Sequence, residues 1–345
     1  MRKILTNIYV VHFILFTMFF MSCKKTDDVM LGDITLLYAV LKQSDIHFIG
    51  NKYENNANKP YYWDGLPHFL EKNGYDDGYT TALAYENGIS YIAGHLENSG
   101  NLMSVYWSTD GNFIELSSDF VEYDIAVKNG NTYIGGCKKD YINNTSTPGY
   151  FLNEKWYALK NIGTGNTGCV YSILPTADSV LAGGYSNDGS GYSKPVYWHK
   201  DVINELPTAY FSGSVSSIFL YGNAIYAAGT NDAAGLGYWK NNTWISIDGN
   251  RDESVDSMYV SADKVYLLAG FAYWENRTRN ALHVGDFWNT EMKTLLLHGD
   301  DVYVGGIGEW STGDMRAGFW KNTEGFYVFS KRDSFSNLND MIIVE

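Results

Sequence analysis

The stretch Val215 to Asp248, VSSIFLYGNAIYAAGTNDAAGLGYWKNNTWISID, decides how the whole chain is read. An apolar run ends in Gly222-Asn223, a pair suited to a tight hairpin. A second run, AIYAAG, stops at Gly229. A polar connection leads to Tyr238-Trp239, a KNNT turn and a last short run, WISID. Short apolar segments punctuated by Asn, Asp and Gly read as four antiparallel strands. On its own, Tyr238-Trp239 beside polar amides fits a sugar-stacking patch as well as a strand entering a turn.

Repetition separates the two. Strands ending in glycine recur as IHFIG at Gly50, ISYIAG at Gly94, NTYIGG at Gly136, SVLAGG at Gly184, AIYAAG at Gly229, KVYLLAG at Gly270 and DVYVGG at Gly306. An aromatic step follows at Trp63, Trp107, Phe151, Trp198, Trp239 and Trp320. An aromatic placed alike in every unit serves the packing between units first. The sixth unit is irregular. Its Tyr273-Trp274 comes only four residues after Gly270, and Leu282-His283 stands at the usual distance. Trp288 then follows His283 by five residues, as Trp244 follows Trp239. This spacing predicts Leu282-His283 in the strand and Tyr273-Trp274 in a loop.

Seven units of about 43 residues, each of four short strands, predict an all-β fold. The expected architecture is a seven-bladed β-propeller of four-stranded antiparallel blades, circularly closed, over residues 34–345. The pattern of the first strand occurs eight times, from LLYAVLKQ at 36–43 to DMIIVE at 340–345. Seven blades need seven copies, so the last is either a clasp on the first blade or surplus. The alternation of a VYVAG-like strand with a YWKNG-like strand resembles repeats of extracellular propellers of Bacteroidota. The resemblance implies the same fold and an exported protein. It implies no activity, because propellers host many unrelated ones.

The N-terminus, MRKILTNIYVVHFILFTMFFMSCKKTDD, has a basic start, an apolar run and then Ser22-Cys23. The run is short for a membrane span and fits a signal peptide over residues 1–22. It resembles a bacterial lipoprotein signal, which implies acylation of Cys23, with a linker over 23–33. Phe20 stands where such signals usually carry Leu. The following Lys24-Lys25-Thr26-Asp27-Asp28 looks like the charged export tag of Bacteroidota surface lipoproteins. The expected location is therefore the outer membrane, through an N-terminal lipid anchor, facing the periplasm or the cell surface. Net charge is −14 over the full chain. Loss of Arg2 and Lys3 with the leader leaves 23 basic against 39 acidic residues, or −16. An acidic surface without a basic stripe argues against nucleic acid as a partner.

Strand order sorts the loops between two faces. The connections after each second strand look long and irregular, and function tends to sit on such loops. Among them Tyr273, Trp274, Arg277, Trp310, Asp314 and Arg316 form the candidate ligand-binding set, with rings for stacking and charged groups for hydrogen bonding. The expected ligand is a glycan or a protein. Cys137 ends a second strand and Cys169 starts the next blade's first strand, on the same face. A disulfide is conceivable if their Cα atoms approach within about 7 Å, and free buried thiols are the alternative.

Enzyme signatures are weak. The glycines of 163–168 match a dinucleotide pattern, but no helix follows. No HExxH, GxSxG or Cys/His cluster occurs. No cofactor, metal or catalytic residue is expected, and the reading leans away from an enzyme. Two alternatives stay open: a carbohydrate-active or other hydrolase with converging carboxylates at the channel mouth, and a structural part of an envelope complex.

Overall fold

In a computed structural model, residues 46–344 are described, apart from 164–166, 209–211, 232–233, 249–253, 263, 286, 311–312, 314 and 330–336. Of Trp288 and Trp310 only the backbone is described. The expected Cys23, its signal, the linker and the 36–43 strand copy all lie outside the described residues. The fold is a seven-bladed β-propeller: seven four-stranded antiparallel sheets, with no helix among the described residues.

Turn chemistry sets the blades. Hairpins such as Asn87-Gly88 and Asn241-Asn242 have both residues at positive φ, as a two-residue turn with the right twist demands. The recurrent glycine has a different cause. A Cβ on Gly94 would stand 2.0 Å from the Tyr79 carbonyl oxygen, and one on Gly184 1.9 Å from that of Cys169. Opposite these glycines the inner strand carries a β-bulge, as between Thr80 and Ala82 or between Val170 and Ser172. The bulge pushes its backbone against the second strand, and only glycine leaves room.

The recurrent Trp is mortar between blades. Trp198 is buried against Tyr150 and Leu159 of the preceding blade, among others. Its Nε1–H donates to the Lys160 carbonyl, 2.7 Å away on the linker between the blades. Trp107, Trp239 and Trp320 repeat this with the carbonyls of Glu71, Pro207 and His283. Each ring buries a large apolar area, and each N–H satisfies a linker carbonyl that packing would otherwise strand.

Residue Asp340 to Ile343 settles how the ring shuts. This strand pairs antiparallel with Ile46–Glu54, giving blade one its innermost strand. The last copy of the pattern is thus the clasp. Side chains reinforce the ring near the axis. The Leu83 N–H of blade two donates to Asp340 Oδ2 at 2.9 Å. The Ile173 N–H of blade four donates to Asp124 Oδ2 of blade three at 2.7 Å. Ser172 and Ser257 accept in the same way from Ile218 and Leu295.

Blade six differs from its expected register. Its second strand is Lys264–Ala269, and Ala269 pairs with Ala272 across a two-residue turn, Gly270-Phe271. Ala269, not Gly270, holds the place of the other strand-ending glycines. Gly270 supplies the positive φ, 54°, that the turn requires. Tyr273-Trp274 therefore fills the strand slot in Ala272–Glu275, with Trp274 opposite Leu267. Leu282-His283 lies on the linker to blade seven, with Leu282 buried and the His283 carbonyl serving Trp320. Trp288 belongs to the inner strand of blade seven, Phe287–His298, not to a fourth strand of blade six.

Candidate functional site

In blades one to three the residue after the strand glycine reaches the next blade, and each of these seams uses it differently. Asn51 Oδ1 of blade one accepts the Thr80 N–H of blade two at 2.9 Å. His95 Nδ1 of blade two lies 2.9 Å from Oε1 of the buried Glu122 of blade three. Thr81 Oγ1 also reaches Oε1, at 3.0 Å, and Ser104 Oγ lies 2.6 Å from Oε2. Cys137 of blade three is disulfide-bonded to Cys169 of blade four, with Cα atoms 4.8 Å apart.

The candidate set from the sequence is not brought together. Tyr273 and Trp274 are 6% and 5% exposed, packed into the cores on the two sides of blade six. An aromatic platform at these two residues is thereby excluded. Arg277 lies in the turn between Ala272–Glu275 and Thr278–Ala281, at the opposite end of the blade from the second-strand connections. Trp310 ends the strand Asp301–Trp310, and Arg316 stands opposite Gly308 at the same end of blade seven. Asp314 and the Trp310 side chain lie outside the described residues. The dinucleotide-like glycines also fall partly outside them, at 164–166.

The connections on this face differ from expectation too. In blades one and two the strands themselves run on and close in tight turns at Asn55-Asn56 and Ser99-Gly100. The tips of these ribbons, residues 54–57 and 98–101, are mostly polar, so the alternation fades there in the sequence. Blade six breaks the pattern in the other direction. Its second strand has 6 residues, against 10 in blade seven.

Beside this shortened hairpin a cavity of about 550 Å³ opens on the inner rim of blades four to seven. Tyr171, Ser216, Asp256 and Lys293 line it. These residues hold one repeat position. Tyr171, Ser216 and Lys293 are the extra residues of their inner-strand bulges. Asp256 stands between Val255 and Ser257 as Ser216 stands between Val215 and Ser217. Phe271, at the tip of the short hairpin, completes the wall with 54% of its surface exposed. Ser214, Thr230, Ser254 and Thr290 add polar groups.

The electrostatics of the cavity are uneven. Lys293 Nζ pairs with Glu291 Oε1 at 2.6 Å. Asp256 is exposed to solvent at the cavity, yet desolvation by the protein around it pushes its carboxyl up to about 6. Lys293 opposes the rise and Glu291 adds to it. Among the described residues no hydrogen-bond donor holds the Asp256 carboxylate. The sequence carried a signal for this row: Val170-Tyr171-Ser172, Val215-Ser216-Ser217 and Val255-Asp256-Ser257 share one spacing.

No protein-family model and no curated protein sequence matches the chain. Among solved structures it is similar to the β-propeller domain of the Trilobed protease from Pyrococcus furiosus, which has an open velcro topology. That match has 12% identity and a TM-score of 0.54, covering 85% of this chain and 94% of that one. It is also similar to acylaminoacyl peptidase of Pyrococcus horikoshii, with 12% identity and a TM-score of 0.51. There it covers 84% of this chain and 51% of that one. At such identities the likeness is one of fold.

Proposed function

We propose that the protein is a lipid-anchored, extracytoplasmic binding module that takes a glycan in the rim cavity beside Gly270-Phe271. The cavity itself carries this reading. It offers an exposed ring in Phe271, a second ring in Tyr171, hydroxyls from both neighbouring blades, and three charged groups. Stacking surface combined with convergent polar groups suits a sugar. The Cys137–Cys169 bond supports an oxidising compartment, in line with the lipoprotein-like leader. A glycan array on the soluble domain tests the reading, with Phe271→Ala as control. Binding that Phe271→Ala abolishes supports it, and silence across the array removes it. For the anchor, Cys23→Ala should release the protein from membranes, and retention there would remove the lipoprotein reading.

A second reading has its own observation. Asp256 and Glu291 line one cavity, and desolvation sets Asp256 well above the usual carboxylate range. Two carboxyls in unlike environments suit acid–base hydrolysis of a glycoside. Turnover of aryl glycosides, lost in both Asp256→Asn and Glu291→Gln, would favour a hydrolase over a binding module.

A further inference from the structure

Given the rim cavity as a glycan site, the geometry points to an amine-bearing sugar, an unacetylated hexosamine, whose ammonium is held by the Asp256 carboxylate. This inference rests on the reading above and narrows it to one ligand chemistry.

Two carboxylates and one ammonium line the cavity: Asp256, Glu291 and Lys293. Lys293 is engaged with Glu291 at 2.6 Å. One negative charge, on Asp256, is left over. Asp256 stays open to solvent at the rim, and among the described residues no hydrogen-bond donor holds its carboxylate. A carboxylate so placed is free to take a cation or a set of donors in place of water. A ligand ammonium supplies both.

Neighbouring groups fit such a ligand. Tyr171 and Phe271 offer rings to a cation and to the apolar face of a sugar. Ser216 Oγ of blade five donates to the Val255 carbonyl at 2.6 Å, and Ser214 and Thr230 bond each other, which leaves their oxygens to accept from ligand hydroxyls. A phosphate or a uronic acid would meet Asp256 and Glu291 unfavourably. A fully neutral sugar would leave Asp256 uncompensated. The chain as a whole carries −14, which draws cationic ligands toward the surface.

The arrangement sets a pH dependence. Asp256 is faced by Lys293 and Glu291 from the inner strand of blade seven, and Tyr171 lines the cavity from blade four. Its carboxyl releases its proton around pH 6 in the free protein. The ammonium needs the ionised form. Affinity should therefore be high at pH 7 and fall toward pH 5.

The test is calorimetric titration of the soluble propeller with the β-1,4-linked glucosamine trimer, its N-acetylated counterpart and trilysine. The expected result at pH 7 is binding of the glucosamine trimer about tenfold or more tighter than the N-acetylated one. That preference should shrink in Asp256→Asn and at pH 5, with the melting temperature of the variant confirming its fold. Equal binding of the two saccharides, a preference that survives Asp256→Asn, or no binding of the glucosamine trimer would overturn the inference. Trilysine binding that outlasts Phe271→Ala would replace the sugar by a peptide amine. Ser216→Trp, which puts a ring into the cavity, separates the cavity from the amine preference. Saccharide binding unaffected by it refutes the cavity as the site. Binding abolished by it, without preference for the amine, refutes only the hexosamine.

Discussion

Blades two and three are fastened by ionisable and polar side chains, blades three and four by a covalent bond, at one repeat position. His95 and Cys137 both follow a strand glycine, and both reach into the seam ahead. Opposite His95 stands a buried Glu122, where the next inner strand has Val170. The stacking residue differs as well. The polar seam has Phe151, which has no N–H to give, and the covalent seam has Trp198 bonded to Lys160. In this seam, which has no Trp hydrogen bond, a carboxylate network ties the blades. Such a network holds only while every member is satisfied, because a buried carboxylate without donors is costly. A disulfide acts chiefly on the unfolded chain and is less sensitive to its neighbours.

The largest effect should come from breaking the polar seam. Glu122→Ala removes the acceptor shared by Thr81, His95 and Ser104, leaving Ser104 only the Phe120 carbonyl, and should cost about 4 kcal/mol in urea unfolding. Glu122→Gln, which keeps two hydrogen-bonding atoms, should cost less. A loss below about 1 kcal/mol in Glu122→Ala would show that the network does not bear on stability. Next comes the covalent seam. Cys137→Ala with Cys169→Ala should lose about 3 kcal/mol, and wild type under reductant should melt near the double variant. A double variant as stable as oxidised wild type would break the comparison. Trp198→Phe imitates Phe151 in the neighbouring seam. It removes the bond to Lys160 and some ring volume, and should cost about 2 kcal/mol by calorimetry.

The smallest effect concerns pH. Asp124 lies two residues from Glu122 on the same inner strand and is fully buried, and burial raises its carboxyl to about 7. Its folded pKa thus exceeds the unfolded one. The unfolded chain gives up this proton first as pH rises, so stability falls from about pH 4 and levels off above about pH 7. Between pH 6 and pH 8 the loss should be about 1 kcal/mol. Asp340, raised to about 6, adds in the same direction at lower pH. Asp124→Asn keeps an acceptor for Ile173 and should flatten the profile. An unchanged slope in that variant would assign the dependence elsewhere.

Much of this was legible in the chain itself. Asn-Gly turns, strand glycines and the paired aromatics each answer to local backbone geometry or to neighbour packing that repeats seven times. Repetition averages out single irregularities, which is why the architecture reads clearly. Blade six reads badly for the same reason. Ala269 takes the glycine position and Gly270 serves the turn, so a one-residue shift moved Tyr273-Trp274 from core to loop. The Tyr273-Trp274 part of the candidate site followed that shift, and both rings are buried. Asp256 and Phe271 of blade six meet Lys293 of blade seven and Tyr171 of blade four, and only the ring brings these blades together. The seam positions were equally hidden: nothing local to His95 tells that Glu122, 27 residues on, faces it.

The clasp also has a meaning in time. Blade one keeps its innermost place open until residues 340–343 arrive, after every other blade has left the ribosome. Asp340 on that strand also supplies the acceptor for Leu83 in blade two. Through synthesis and any threading across a membrane, six blades can form in order while the seventh stays a three-stranded sheet with a bare inner edge. Until then that edge is the place where another chain, or a chaperone, can pair with it.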